Sequence, residues 1–145
     1  MKKDVNEIKK TAIEDYRNGA HCAEVVLKYI GREYADDFDE NLSRMATPFG
    51  GGVAERGDIC GALAGGLMLI GYLSGRRNTA DNQEVCWGLS QRYYDRFKER
   101  FGSTNCYDIH SPVYDRETHE NCVATVDGAV EILCNILDNA EKEEL

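Results

Sequence analysis

Two prolines, Pro48 and Pro112, are all that the 145 residues contain, and no alternating apolar–polar run is long enough to read as a strand. Internal repeats and low-complexity linkers are absent too. Sheet architectures therefore have no support. No basic stripe exists, and the formal net charge is −9, so a polyanion is repelled and no nucleic-acid partner is expected. The opening residues, Met1-Lys2-Lys3-Asp4-Val5-Asn6-Glu7, are charged and lead into no apolar stretch, which argues against a secretory signal. Residues 59–75 carry no charge, but the stretch reaches only the lower limit for a bilayer span and is rich in glycine. It reads as a buried core helix. No membrane span and a cytoplasmic location are the expectation. In that compartment thiols stay reduced, so structural disulfides are a poor default.

What is present is helical periodicity. Residues 4–17 put Val5, Ile8, Ala12, Ile13 and Tyr16 on one face, ahead of an Asn18-Gly19 stop. A second helix starts near His21 with Cys22, Val25, Val26, Tyr29 and Ile30 inward, and ends near Tyr34-Ala35. Asp39 is expected to cap a short third helix, with Leu42 and Met45 inward and a stop before Pro48. Gly50-Gly51-Gly52 opens a loop to Gly57-Asp58, and Asp58 is expected to cap the helix over 59–75. That helix tolerates glycines spaced four apart, each costing about 0.5–1 kcal/mol relative to alanine, which suits close approach of a backbone, a ligand or a second subunit. A fifth helix is read over 79–101, with Val85, Leu89, Tyr93, Phe97 and Phe101 inward and Gly102 as its end. A loop or short helical piece follows around Cys106 to His110. The last helix runs from about His119 to Asn139, with Ile132, Leu133, Ile136 and Leu137 apolar. Together these predict an all-α fold, a compact single-domain helical bundle of five to six helices over residues 1–145. A chain of this length buries roughly 68–70% of its unfolded surface and needs no metal or disulfide merely to fold.

Six cysteines then require another explanation. Cys22, Cys60, Cys106 and Cys122 each fall at the start of a helix or helical piece, where free amides and the dipole favour an anion such as thiolate. The dipole supplies at most ~2 kcal/mol, about 1.5 units on a thiol of ~8.5, so full ionisation needs an imidazolium, a second helix end or a metal. Each histidine lies close in sequence to one of these sulfurs: His21 beside Cys22, His110 after Cys106, His119 before Cys122. Cys86 and Cys134 sit mid-helix among apolar neighbours and read as packing. No Cys-x-x-Cys pair occurs, which excludes a thioredoxin-type dithiol, a zinc ribbon, a bacterial ferredoxin run and a c-type haem site. Any ligand set or disulfide must be assembled from distant segments. Gly50-Gly51-Gly52 follows no strand and precedes no Lys-Ser/Thr, so a nucleotide loop is disfavoured. Arg92, Arg96 and Arg100 read as a solvated charged row, and Trp87 with Tyr93-Tyr94 as core or interface.

Cys22, the block Cys60-Gly61-Ala62-Leu63-Ala64-Gly65, then Cys106 and Cys122, with Phe49-Gly50-Gly51-Gly52 ahead of the block, resemble the C_GCAxxG_C_C family of redox-active proteins over roughly residues 18–136. The resemblance implies a small redox protein in which Cys22, Cys60, Cys106 and Cys122 are the working groups, with no assigned substrate. Two chemical forms stay open. The four sulfurs could hold an iron–sulfur cluster, of [2Fe–2S] type, between helix ends, or Cys60 could act as a thiolate resolved by a second cysteine. Gly61, Ala62, Gly65, His21 and His119 are candidates for lining a cofactor. A zinc Cys₄ or Cys₃His module without enzymatic activity is the alternative. The expected partner is a redox protein, small thiol or electron donor, and the glycine face could serve a homodimer.

Overall fold

A computed structural model describes residues 4–110, 120 and 122–144. The described residues form helices α1 (Val5–Arg17) and α2 (Cys22–Tyr34), a 3₁₀ segment (Glu40–Phe49), and the one-turn α3 (Gly50–Val53). Then come α4 (Gly61–Ser74), α5 (Glu84–Phe101), the short α6 (Cys106–His110) and α7 (Val123–Glu144). No strand occurs among them, only an isolated antiparallel bridge between Ile59 and Asn105. The all-α expectation stands. The helix count does not: seven α-helices replace five to six, because the stretches around Gly50 and Cys106, read as loops or fragments, each close a short turn.

Helices α2 and α4 cross at the centre. The α2 residues Val25, Val26 and Ile30 and the α4 residues Leu63, Leu69 and Ile70 are fully enclosed. α1 lies against α2 and α7, and α5 lies against α4 and α7. Among the described residues no helix is long and apolar enough to cross a membrane.

The central crossing depends on missing side chains. A Cβ on Gly65 would run into the carbonyl oxygen of Ala23, and one on Gly61 would lie 2.7 Å from Cys22 Sγ and 3.0 Å from the carbonyl oxygen of Phe49. Gly66 leaves room for the Tyr93 ring, whose hydroxyl donates to the carbonyl of Ala62 at 2.8 Å. Gly71, in contrast, has open space where its Cβ would be. The glycines near the amino end of α4 thus serve backbone contact, and the one near its far end does not.

Several boundaries differ from the sequence reading, each for a local reason. The 3₁₀ segment buries Ala46 and half-buries Phe49, three apart as its period requires, and leaves Met45 58% exposed rather than inward. It also carries Pro48 inside it instead of ending before it. Asp58 does not cap α4. Its backbone is committed elsewhere, its N–H to Gly52 (2.9 Å) and its carbonyl to the N–H of Cys106 (2.6 Å), and Cys60 becomes the cap residue. α5 begins at Glu84, not Thr79, because Asn78, Asp81 and Asn82 each take a nearby backbone N–H onto their own side chain, competing with the helix. Val85 is accordingly exposed, as are Trp87 and Tyr94, while Tyr93 is core. α7 starts at Val123, and His119 lies outside the described residues.

Gly65→Ala is expected to destabilise the fold by about 1–3 kcal/mol, since the Ala23 carbonyl has nowhere to retreat. Gly71→Ala is expected to stabilise it by about 0.5–1 kcal/mol through helix propensity. Urea-unfolding midpoints of the two variants check both signs.

Candidate functional site

All four motif cysteines stand at helix amino ends. Cys22 is the first residue of α2, Cys60 caps α4, Cys106 opens α6, and Cys122 immediately precedes α7, its carbonyl accepting from Val126 N–H at 2.8 Å. The bundle brings them together. The Ile59/Asn105 bridge, with Cys60 N–H donating to the Thr104 carbonyl (2.8 Å), lays the start of α4 beside the start of α6. A Cβ on Gly52 would lie 2.5 Å from the Cβ of Cys106, so the glycine-rich turn is what leaves room for that side chain. At the other end, Cys122 N–H donates to Tyr16 Oη at 3.3 Å, and Arg17 forms an ion pair with Glu120 at 2.9 Å, tying the entry of α7 to α1.

Cys22 stands between Cys60 and Cys122 and is close enough to each to shift its proton affinity. His110, 4% exposed, reaches both outer sulfurs and lies with Nε2 3.5 Å from Cys122 Sγ. Cys106 is close enough to feel the charge on Cys60 and Cys122 without a hydrogen bond to either. Cys60 is completely enclosed, whereas Cys22, Cys106, Cys122, His110, His21 and Tyr16 line a cavity of about 530 Å³. Cys134 is buried in the core and Cys86 is half-buried beside exposed Trp87; neither reaches the cavity.

The electrostatics follow from donors and burial. Cys122 is pulled down to about 4, first by the Cys22 thiol donating to it, then, against the cost of burial, by His110 and the Tyr16 hydroxyl. Cys60 is pulled down to about 6 by the same Cys22 thiol, opposed by burial and helped by His110 and the Ala62 amide. Cys22 is held well above the ordinary thiol value by its hydrogen bonds to Cys122 and Cys60, and by burial. Cys106 is pushed up to about 11, chiefly by burial. Burial alone would lower His110, but its hydrogen bonds to Cys122 and Cys60 outweigh that and push it up to about 10. One S–H cannot serve two acceptors at once. Cys60 and Cys122 each face two further donors, and what distinguishes Cys122 is its place in the cavity lining.

Of the residues named from the sequence, Cys22, Cys60, Cys106 and Cys122 converge here. Gly61 and Gly65 shape the α2–α4 contact beside Cys22, and the Ala62 amide faces Cys60. His21 lines the cavity with its ring over Gly50, where a Cβ would lie 2.7 Å from Nδ1. The imidazole on the sulfurs is His110, which the sequence marked only by its place one turn after Cys106. Tyr16 looked like an ordinary core position of α1, and nothing in the sequence signals its role.

Thiols, an imidazole and a tyrosine hydroxyl gathered over one cavity at the amino ends of several helices define a helical protein built around a shared sulfur centre. The chain belongs to the family described as "Putative redox-active protein (C_GCAxxG_C_C)", whose pattern matches residues 20–136. It is also similar to an Archaeoglobus fulgidus protein described as "Uncharacterized protein", 28% identical over 145 residues that cover 92% of this chain and 95% of that one. No solved structure matches it.

Replacing His110 by glutamine is expected to raise the Cys122 titration from about 4 toward the ordinary thiol value, because a neutral amide cannot compensate the thiolate charge. The pH dependence of Cys122 alkylation, followed by peptide mass spectrometry, measures the shift. Stability has its own signature. The Cys122 contribution is present above the unfolded thiol value and is lost as pH falls through about 4; that of His110 is present below its unfolded value and is lost as pH rises through about 10. Denaturant midpoints of the wild type should therefore fall off on both sides, and His110→Gln should lessen the alkaline loss, the raised Cys22 and Cys106 thiols keeping the remainder.

Proposed function

We propose that this is a thiol–disulfide exchange protein in which Cys122 is the sulfur that meets the substrate and Cys22 is the resolving thiol. The observation that carries this reading is the placing of the sulfurs: Cys22 is close enough to Cys122 to shift its proton affinity, and both line the cavity. Cys60 was the nucleophile favoured from the sequence. Its complete enclosure, away from the cavity lining, argues against its meeting a substrate directly.

The exchange balances with groups present at the site. Cys122 thiolate attacks one sulfur of a substrate disulfide, giving a mixed disulfide and a leaving thiolate that takes its proton from the His110 imidazolium. Cys22 then loses its proton to the second leaving sulfur and attacks Cys122 Sγ, closing Cys22–Cys122 and releasing the second thiol. Two electrons pass to the substrate, and two protons leave the protein, one from His110 and one from Cys22. The reaction is reversible, and the thiolate decides which way it leans. The lowered Cys122 titration favours the reduced form at neutral pH. A strongly stabilised thiolate is also a weak nucleophile and a good leaving group. Attack of a substrate thiol on the Cys22–Cys122 disulfide is eased by Cys122 as leaving group, so exchange runs in both directions.

Convergence of four sulfurs from four separate helix ends also supports a second reading, an iron–sulfur cluster or zinc held by Cys22, Cys60, Cys106 and Cys122. Sulfur and imidazole are suitable donor types, and a cluster would supply one-electron transfer. Among the described residues, however, no three His, Cys, Asp or Glu side chains are placed to share one ion.

Cys22→Ser treated with a small neutral disulfide is expected to accumulate a mixed disulfide on Cys122, seen by intact-mass and peptide mass spectrometry, while Cys122→Ser exchanges no faster than the reagent alone. Undiminished exchange in Cys122→Ser removes this reading. Iron, acid-labile sulfide or zinc in stoichiometric amount in protein purified without air would establish the second one.

A further inference from the structure

The cavity over the sulfurs carries a feature that thiol chemistry does not require. Gly51, Gly52, Val53, Ala54 and Glu55 are five consecutive residues at positive φ (65°, 70°, 68°, 49° and 69°). A left-handed turn of this length is foreign to L-residues. The three that are not glycine each cost roughly 1–3 kcal/mol, and such a run persists only when its surroundings impose it. Here they do: Ala54 N–H donates to the Pro48 carbonyl (2.8 Å), Glu55 N–H to Gly50 (3.2 Å), Gly57 N–H to Gly51 (3.0 Å) and Asp58 N–H to Gly52 (2.9 Å). The reversed hand folds the Glu55 side chain back over Gly51, where a Cβ would lie 3.2 Å from Glu55 Cγ, and both residues line the cavity.

Glu55 is the sole carboxylate in that lining among the described residues, and no lysine or arginine accompanies it. Of the other polar lining groups, Thr47, Tyr16 and His110 are already engaged. Thr47 donates to Glu24 Oε2 at 2.7 Å, and Tyr16 and His110 are occupied with Cys122. At about 530 Å³ the space is of the size that takes a small molecule. We propose, resting on the thiol–disulfide reading above, that the substrates entering this cavity are small thiols or disulfides bearing a cationic amine, and that Glu55 is the residue that selects them over anionic ones. The exchange itself is the one balanced above; Glu55 only binds the ammonium group of the half that stays attached to Cys122.

One unit charge a few ångströms from a carboxylate is worth about fivefold even at the dielectric constant of water, so a dication and a dianion should separate by more than about tenfold. The experiment compares rates at which the fully reduced, full-length protein is oxidised by cystamine (dication), 2-hydroxyethyl disulfide (neutral) and 3,3′-dithiodipropionate (dianion). The expected order is cystamine, neutral, dianion. Glu55→Gln should reduce the cystamine-to-dianion ratio by more than about tenfold. Asp36→Asn, which removes the same charge beyond the far end of α2, should leave the ratio as it is. In the wild type, added salt should compress the ratio, a readout that does not depend on any variant folding. A dianion that reacts as fast as the dication, or a ratio unchanged by Glu55→Gln, overturns the selection while leaving the exchange reading intact. Failure of the neutral disulfide to react at all overturns the exchange reading itself.

Discussion

The backbone of α4 rests on the backbone of α2 where Gly65 meets the carbonyl of Ala23, and most of the molecule is arranged around that contact. Gly61, one turn nearer the amino end, admits the sulfur of Cys22, so the same absence of side chains that permits the crossing also sets two cysteines close enough to shift each other's proton affinity. Tyr93 locks the arrangement from the other side by donating to the Ala62 carbonyl while its ring fills the space over Gly66. Each glycine costs helix propensity, and the cost is recovered in a centre that no bulkier residues could form.

From that contact the remaining groups are reached by short connections rather than by long-range forces. The Ile59/Asn105 bridge delivers Cys106 and, one helical turn on, His110. The Tyr16 hydroxyl receives the amide of Cys122 and donates to its sulfur. The result is a set of four thiols with unequal burial and unequal proton affinity, although each began as the same residue type at the same kind of helix end. What separates them is the number of donors each faces and its access to water. The helix dipole, common to all four, cannot do this.

The sequence carried the periodicity of α1, α2 and α7, the stop at Gly102, and the placing of four cysteines at helix starts, because hydrophobic spacing and glycine placement are local signals; that those starts meet was a wager on tertiary structure. It missed the late start of α5 because Asn78, Asp81 and Asn82 satisfy backbone groups with their own side chains, which a count of helix formers does not see. It placed Asp58 at a cap because the residue type suits one; the tertiary demands of Gly52 and Cys106 on its backbone are invisible in one dimension. His21 and His119 stood as near their cysteines as His110 did to Cys106. The bridge that sets the start of α6 beside the start of α4 is what brings His110 to the sulfurs, and no spacing in the sequence announces it. The left-handed run at residues 51–55 had a partial signal in two glycines, but nothing in Val53, Ala54 or Glu55 announces a reversal of hand.

The unequal depth of the sulfurs has a bearing on how the protein would age. Peroxide reaching the cavity meets Cys122 first, and its sulfenic acid climbs to the irreversible sulfinic and sulfonic acids whenever a second oxidant arrives before Cys22 resolves it. Cys60, sealed beneath Cys22, is shielded from that ladder. Accumulated damage would therefore extinguish the outer sulfur while the inner one survives as an unspent thiol, a molecular record of exposure written from the surface inward.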